Sequence, residues 1–166
     1  MMDEARKFRP APCVWVVDDT PDNLYLMAAL LEDRYRVRQM ASGADVLQAV
    51  ARGEVPDLML LDIMMPDMDG YEVMRRLREI PSMADIPVIF LTALNSVEEE
   101  QKGLDLGAAD YIAKPISPPV VLARVQSHLE RSASARRLAA LSRQLSRYLA
   151  PQVVQTLLDG TQQAEI

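Results

Sequence analysis

Between residues 14 and 114 short apolar runs alternate with stretches in which apolar residues recur every three or four positions. The runs at 14–17, 35–40, 58–61, 88–91 and 111–113 read as strands, each closing on polar residues. Three are almost continuously apolar, which suits strands covered on both faces of a parallel sheet rather than half-exposed antiparallel ones. The stretches between them carry helix starts. Thr20 before Pro21 reads as an N-cap and first helical residue, with Leu24, Met27 and Leu31 following at helical spacing. Ser42 stands in the same way before Val46 and Val50, and Asp69 before Val73, Leu77 and Ile80. Ser96 with Glu99 forms a capping-box pattern for a helix that runs toward Leu106 and stops near Gly107, and Ser117 with Pro118 opens a fifth. Strict alternation over short connections predicts right-handed crossovers and a doubly wound α/β fold of five strands and five helices, plus a C-terminal helical extension.

In such a sheet the carboxyl ends of the strands share one edge, and ligand chemistry belongs there. Asp18 and Asp19 follow the first strand, Asp62 the third, Thr92 the fourth and Lys114 the fifth. Carboxylates gathered this closely repel and raise one another's pKa unless a cation joins them, and hard oxygen ligands suit Mg²⁺. With Lys114 to bind an oxyanion and the Thr92 hydroxyl to donate to it, the set has what phosphoryl transfer requires, with Asp62 as the natural nucleophile.

The motifs VVDD (16–19), LLDIMMPDMDG (60–70), FLTA (90–93) and GAADYIAKP (107–115) closely resemble the receiver domains of two-component response regulators. The resemblance covers residues 12 to 130 and implies the CheY-like strand order 2-1-3-4-5. It also implies a phosphoryl group passed from a histidine kinase to Asp62. Asp19 and Asp62 would ligate Mg²⁺ directly, Asp18 would hold a metal-bound water, and the carbonyl of Met64 would complete the protein ligands. Thr92 would turn toward the phosphoryl group, Tyr111 would swing inward behind it, and Lys114 would pair with a phosphoryl oxygen. A cis Lys114-Pro115 bond is expected at the turn that brings Lys114 back toward Asp62.

Charge and composition narrow the classes. Eighteen basic against twenty-four acidic side chains give a formal charge of −6, so no overall positive field attracts a nucleic acid. Cys13 is the only cysteine, which excludes an internal disulfide and any CxxC site and fits a reducing cytoplasm. No stretch is apolar enough for a membrane span, and residues 1–12 form a charged, proline-containing tail without a leader pattern. Haloacid-dehalogenase-like phosphatases also use a strand-end Asp with Mg²⁺, but they need a second Asp two residues on, where this chain has Met64. Neither GxGxxG nor GxxxxGK[ST] follows the first strand, so a nucleotide or flavin site is not supported. A stand-alone adaptor receiver remains the non-enzymatic alternative.

Other residues read more plainly. Asp67 and Asp69 lie in a turn and read as turn and cap residues. Trp15 and Cys13 read as packing, and the ten methionines as core or loop filler. His128, the only histidine, sits among polar neighbours and reads as solvent-facing. Residues 13–130 form the receiver, and 131–166 have no strand pattern and read as a helical linker. Leu138, Leu141, Leu145 and Tyr148 follow the 3-4-3 spacing of a coiled-coil seam, out of phase with Val125 and Leu129. That spacing supports a short dimeric helix, against the alternative of a monomeric helix folded back on the receiver. Pro151 then begins a second short helix through Val154 and Leu158, ended by Gly160. The words SRYLAPQVVQTLLDG resemble the connector before class III adenylate or guanylate cyclase domains. No cyclase residues follow before Ile166, so the expectation is a receiver whose output domain lies outside this chain, with a diguanylate cyclase or kinase as alternative outputs.

Overall fold

The computed structural model describes residues 10–93 and 97–148. Five strands, β1 (Cys13–Val17), β2 (Arg36–Met40), β3 (Leu58–Asp62), β4 (Val88–Thr92) and β5 (Asp110–Ala113), alternate with five helices. The helices are α1 (Pro21–Leu31), α2 (Gly43–Ala51), α3 (Gly70–Arg78), α4 (Val97–Asp105) and α5 (Pro118–Tyr148). All strand pairs are parallel and the order is β2-β1-β3-β4-β5, as expected.

Side-chain alternation explains the near-continuous apolar runs. Val14 and Val16 of β1 join Leu58, Leu60, Ile89 and Leu91 on one face, where α1 brings Leu24, Met27 and Leu31 and α5 brings Val121, Val125 and Leu129. Trp15 and Val17 join Met59, Leu61, Val88 and Phe90 on the other, under Val46 and Val50 of α2 and Val73, Met74 and Leu77 of α3. Both faces of the three central strands are therefore dry, and the polar groups of β3 and β4 lie at their carboxyl ends.

The caps follow the sequence with one difference. The Ser42 hydroxyl accepts from the Asp45 amide at 3.2 Å and the Asp69 carboxylate from the Glu72 amide at 2.9 Å. Thr20 has the extended N-cap backbone, but its side chain makes no capping bond. Ser96 and the 151–160 segment lie outside the described residues. The turn after α4 is closed by Gly107 at φ +91, a left-handed conformation suited to glycine. Lys114-Pro115 is cis.

One expectation is corrected. His128 is buried, with 8% exposure, and its Nε2 lies 2.9 Å from an Asp110 carboxylate oxygen. Polar neighbours in sequence point elsewhere around the helix, while position 128 faces the start of β5. The fifth helix and the C-terminal extension, moreover, form one continuous helix from Pro118 to Tyr148. No glycine or proline between 120 and 148 breaks the backbone hydrogen-bond ladder.

The chain divides into two units, Met1–Leu129 and Glu130–Ile166. In the second, the described residues 130–148 include no buried side chain, and Leu138, Leu141, Leu145 and Tyr148 are all more than half exposed.

Candidate functional site

β1 is hydrogen-bonded to both β2 and β3, so the chain winds away in opposite directions on either side of it. In doubly wound sheets a crevice opens at such a switch, beyond the carboxyl ends of the strands. Val17 pairs with Leu61, which brings Asp18 beside Asp62. Asp62 pairs with Leu91 and Thr92 with Ala113, which brings Thr92 and then Lys114 to the same edge.

Side-chain geometry tightens the group. One carboxylate oxygen each from Asp18, Asp19 and Asp62 lies within 4.8 Å of the others. Asp18 and Asp62 are buried, while Asp19 is exposed at the mouth. Lys114 Nζ sits 3.2 Å from Asp18 Oδ2 and 3.3 Å from Asp62 Oδ2, a single cation shared by two carboxylates. Asp18 is oriented further by the Thr20 amide at 2.9 Å and the Asn23 side-chain amide at 3.2 Å. The Met64 amide donates to Asp62 Oδ1 at 3.2 Å, with the Met64 side chain itself exposed.

The β3–α3 loop owes its shape to Gly70. A Cβ there would lie 2.5 Å from the Asp62 carbonyl oxygen, so only glycine lets α3 start this close to the strand end. Asp67 turns the loop at φ 66.

The charges do not balance. Burial, and next the neighbouring Asp18, raise the Asp62 pKa above its ordinary value, and Lys114 only partly opposes them. The same carboxylates outweigh burial at Lys114 and hold its pKa above the ordinary lysine value. Three carboxylates and one ammonium leave a local charge of about −2, and oxygen donors at this spacing fit a hard divalent cation. The donor set therefore suits Mg²⁺ on the structure's own terms.

Residues 14–126 match the response regulator receiver domain family. The chain belongs to that family. Receivers are phosphoacceptor switches that take phosphoryl groups from histidine kinases, and they generally use Mg²⁺ at the acidic site. The chain is 44% identical over 121 residues to a probable cyclic di-GMP phosphodiesterase of Vibrio cholerae, covering 73% of this chain and 27% of that protein. It is 36% identical over 139 residues to the response regulator PleD of Caulobacter vibrioides, covering 78% and 31%. Among solved structures, the BeF3-activated receiver domain of DrrB, from Thermotoga maritima, superposes with a TM-score of 0.66 at 36% identity, covering 72% of this chain and 98% of that domain. The chain thus spans under a third of the length of these two curated relatives.

The structure brings Asp18, Asp19, Asp62, Thr92 and Lys114 to one edge. Tyr111 stands further back on β5, paired with Phe90 and half-buried. Sequence reasoning missed Asn23 as an orienting group for Asp18, since an asparagine in a first helical turn gives no signal of where its side chain reaches. It also missed the contact between Tyr71 and Glu99, which are 28 residues apart. No helix among the described residues is long and apolar enough to cross a membrane.

Proposed function

We propose that this receiver takes a phosphoryl group onto Asp62 from a partner histidine kinase and passes the change along α5 toward an output domain. The observation that supports it best is the buried Asp62 carboxylate, 3.3 Å from Lys114 Nζ and gathered with Asp18 and Asp19 at one sheet edge. An Asp62 oxygen attacks the phosphorus of a phosphohistidine, the P–N bond breaks, and the departing imidazole nitrogen keeps the electron pair and takes up a proton. Asp19 and Asp62 would hold Mg²⁺ directly, Asp18 through a water and Met64 through its carbonyl. Bound there, the ion offsets the negative charge of the carboxylates and the transferred group. Lys114 pairs with one phosphoryl oxygen and the Thr92 hydroxyl donates to another, and Tyr111 follows inward.

This phosphoryl group shifts the equilibrium because its oxygens favour the inward Thr92, a contact absent without it. Residues 13–130 act as the receiver and 131–166 as the helical linker. Leu138, Leu141, Leu145 and Tyr148, exposed in the single chain, form a dimer seam whose pairing changes with phosphorylation. A nucleotidyl cyclase output is supported by SRYLAPQVVQTLLDG. The likeness to a probable cyclic di-GMP phosphodiesterase favours cyclic dinucleotide turnover as the second reading.

Beryllofluoride, a phosphoryl mimic, tests the site. With Mg²⁺ it should bind the parent and fail to bind Asp62→Asn; equal binding by both would overturn the assignment. Sedimentation with and without the mimic tests the seam, beside a variant with Leu141 and Leu145 changed to Gln. A parent that stays monomeric in both states at high concentration, or a Gln variant that dimerises equally well, would remove the dimer from the mechanism.

A further inference from the structure

Tyr71 opens the first turn of α3, directly after the glycine that lies against the Asp62 backbone. It is 4% exposed, which requires its hydroxyl to find a partner. That partner belongs to α4: the hydroxyl donates to Glu99 Oε2 at 2.6 Å and lies 3.3 Å from the Glu99 carbonyl oxygen. Lys102, one turn further along α4, places its ammonium 4.5 Å from the centre of the Tyr71 ring. The Tyr71 ring also meets Phe90 of β4 edge to face, at 5.4 Å and 65°.

Gly103 is the only buried residue of α4, and a Cβ there would come within 3.1 Å of the Phe90 ring and 3.7 Å of Tyr111 Cδ2. Asp19, Met64, Tyr71, Glu99 and Lys102 line one cleft, so the contact shares a wall with the acidic site. From Asp62 through Gly70 and Tyr71 to Glu99, a short run of packed atoms joins the β3–α3 loop to α4.

We propose that the Tyr71–Glu99 hydrogen bond, with Lys102 over the ring, is a latch that holds α4 in its unphosphorylated position and is released when Asp62 is phosphorylated. It acts beside the proposed Thr92 and Tyr111 movement, through a different contact on α4. The reading rests on Asp62 as the phosphoacceptor. Burial, and next the Glu99 carboxylate, push the Tyr71 hydroxyl well above the usual phenol range, so it stays a protonated donor at physiological pH.

Tyr71→Phe removes the donor and keeps the ring, while Glu99→Gln keeps an acceptor that Glu99→Ala removes. Amide hydrogen exchange in residues 97–105 without any phosphoryl mimic should quicken on the order of tenfold in Tyr71→Phe and Glu99→Ala, the effect of one lost charge-assisted hydrogen bond. Exchange in α1 and α2 should stay at parent rates, and Glu99→Gln should recover most of the protection. Half-saturation by beryllofluoride with Mg²⁺ should fall several-fold in both latch variants, with no further fall in the double variant. A role confined to stability would instead raise exchange throughout the domain and leave half-saturation unchanged, and that result overturns the latch. Parent-like exchange in Tyr71→Phe overturns it as well. If the parent itself fails to bind beryllofluoride, the phosphoacceptor reading falls and takes the release step with it, whereas binding by the parent with unaltered variants removes the latch alone.

Discussion

Asp62 closes β3 at the carboxyl edge of the sheet, and Asp110 opens β5 at the amino edge. Both are aspartates on parallel strands of one sheet, and their surroundings push them in opposite directions. Asp110 is opposed by burial, but Arg124 donates to both of its oxygens at 2.7 Å and His128 adds a third contact at 2.9 Å, so its pKa lies below the ordinary value. Asp62 shares one lysine with Asp18, stands beside Asp19, and has its pKa raised. One edge satisfies its carboxylate with surplus donors; the other leaves charge uncompensated around the residue proposed to react. A group kept short of positive partners has affinity to spare for a cation, and it costs stability until one arrives. The difference separates an aspartate whose charge the fold compensates from one whose charge it leaves for the proposed ligand.

Substitution should separate the two. Asp110→Ala strands Arg124 and His128 at the β5–α5 contact and should cost about 2 kcal/mol of unfolding free energy by denaturant titration. A loss under about 0.5 kcal/mol, the range of an ordinary surface change, would show that the amino edge is not an anchor. Mg²⁺ at ten times its dissociation constant should stabilise the parent by about 1.4 kcal/mol, read as a rise in Tm, and should stabilise Asp62→Asn much less. An equal rise in both would place the ion elsewhere.

Asp62→Asn should then stabilise the metal-free protein at neutral pH by on the order of 1 kcal/mol, since it removes a buried charge whose pKa is raised. The signs with pH are opposite. A raised folded pKa means that the native state holds its proton longer, so the Asp62 penalty appears as pH climbs from the unfolded carboxylate value through the folded one. A depressed folded pKa means that the Asp110 contribution is in place above the unfolded value and is lost as pH falls through the folded one. Stability curves against pH for the two variants should therefore diverge from the parent in opposite senses above about pH 4. The smallest effect belongs to Leu141 and Leu145: changing both to Gln should alter the receiver's own stability by less than about 0.5 kcal/mol, because both are exposed in the single chain.

The carboxyl edge was legible in the sequence and the amino edge was not, for a physical reason. Strands buried on both faces read as apolar runs, and the first polar residue after each run must lie at the strand's end, so Asp18, Asp62, Thr92 and Lys114 announce a shared edge. Asp62 and Thr92 proved to be paired strand residues themselves, one position beyond the apolar run. The Asp110–His128 and Tyr71–Glu99 contacts depend on how α5 and α4 are rotated against their neighbours, which the spacing of polar residues does not encode. Whether the C-terminal helix continues the fifth was left open by the sequence, for a related reason. The phase of the Leu138 stripe reports which side of a helix is apolar, whereas the end of a helix is set by where its ladder breaks.

The most direct test of Asp62 as the receiver's phosphoacceptor is covalent. The full chain is incubated with Mg²⁺ and a small phosphoryl donor, trapped at once, and mapped by peptide mass spectrometry beside Asp62→Asn. A single acyl phosphate on Asp62, dependent on Mg²⁺ and missing from the Asn variant, is the expected result; a phosphoryl group on Asp18, Asp19 or Asp110 in the parent, or undiminished labelling of the variant, would contradict it.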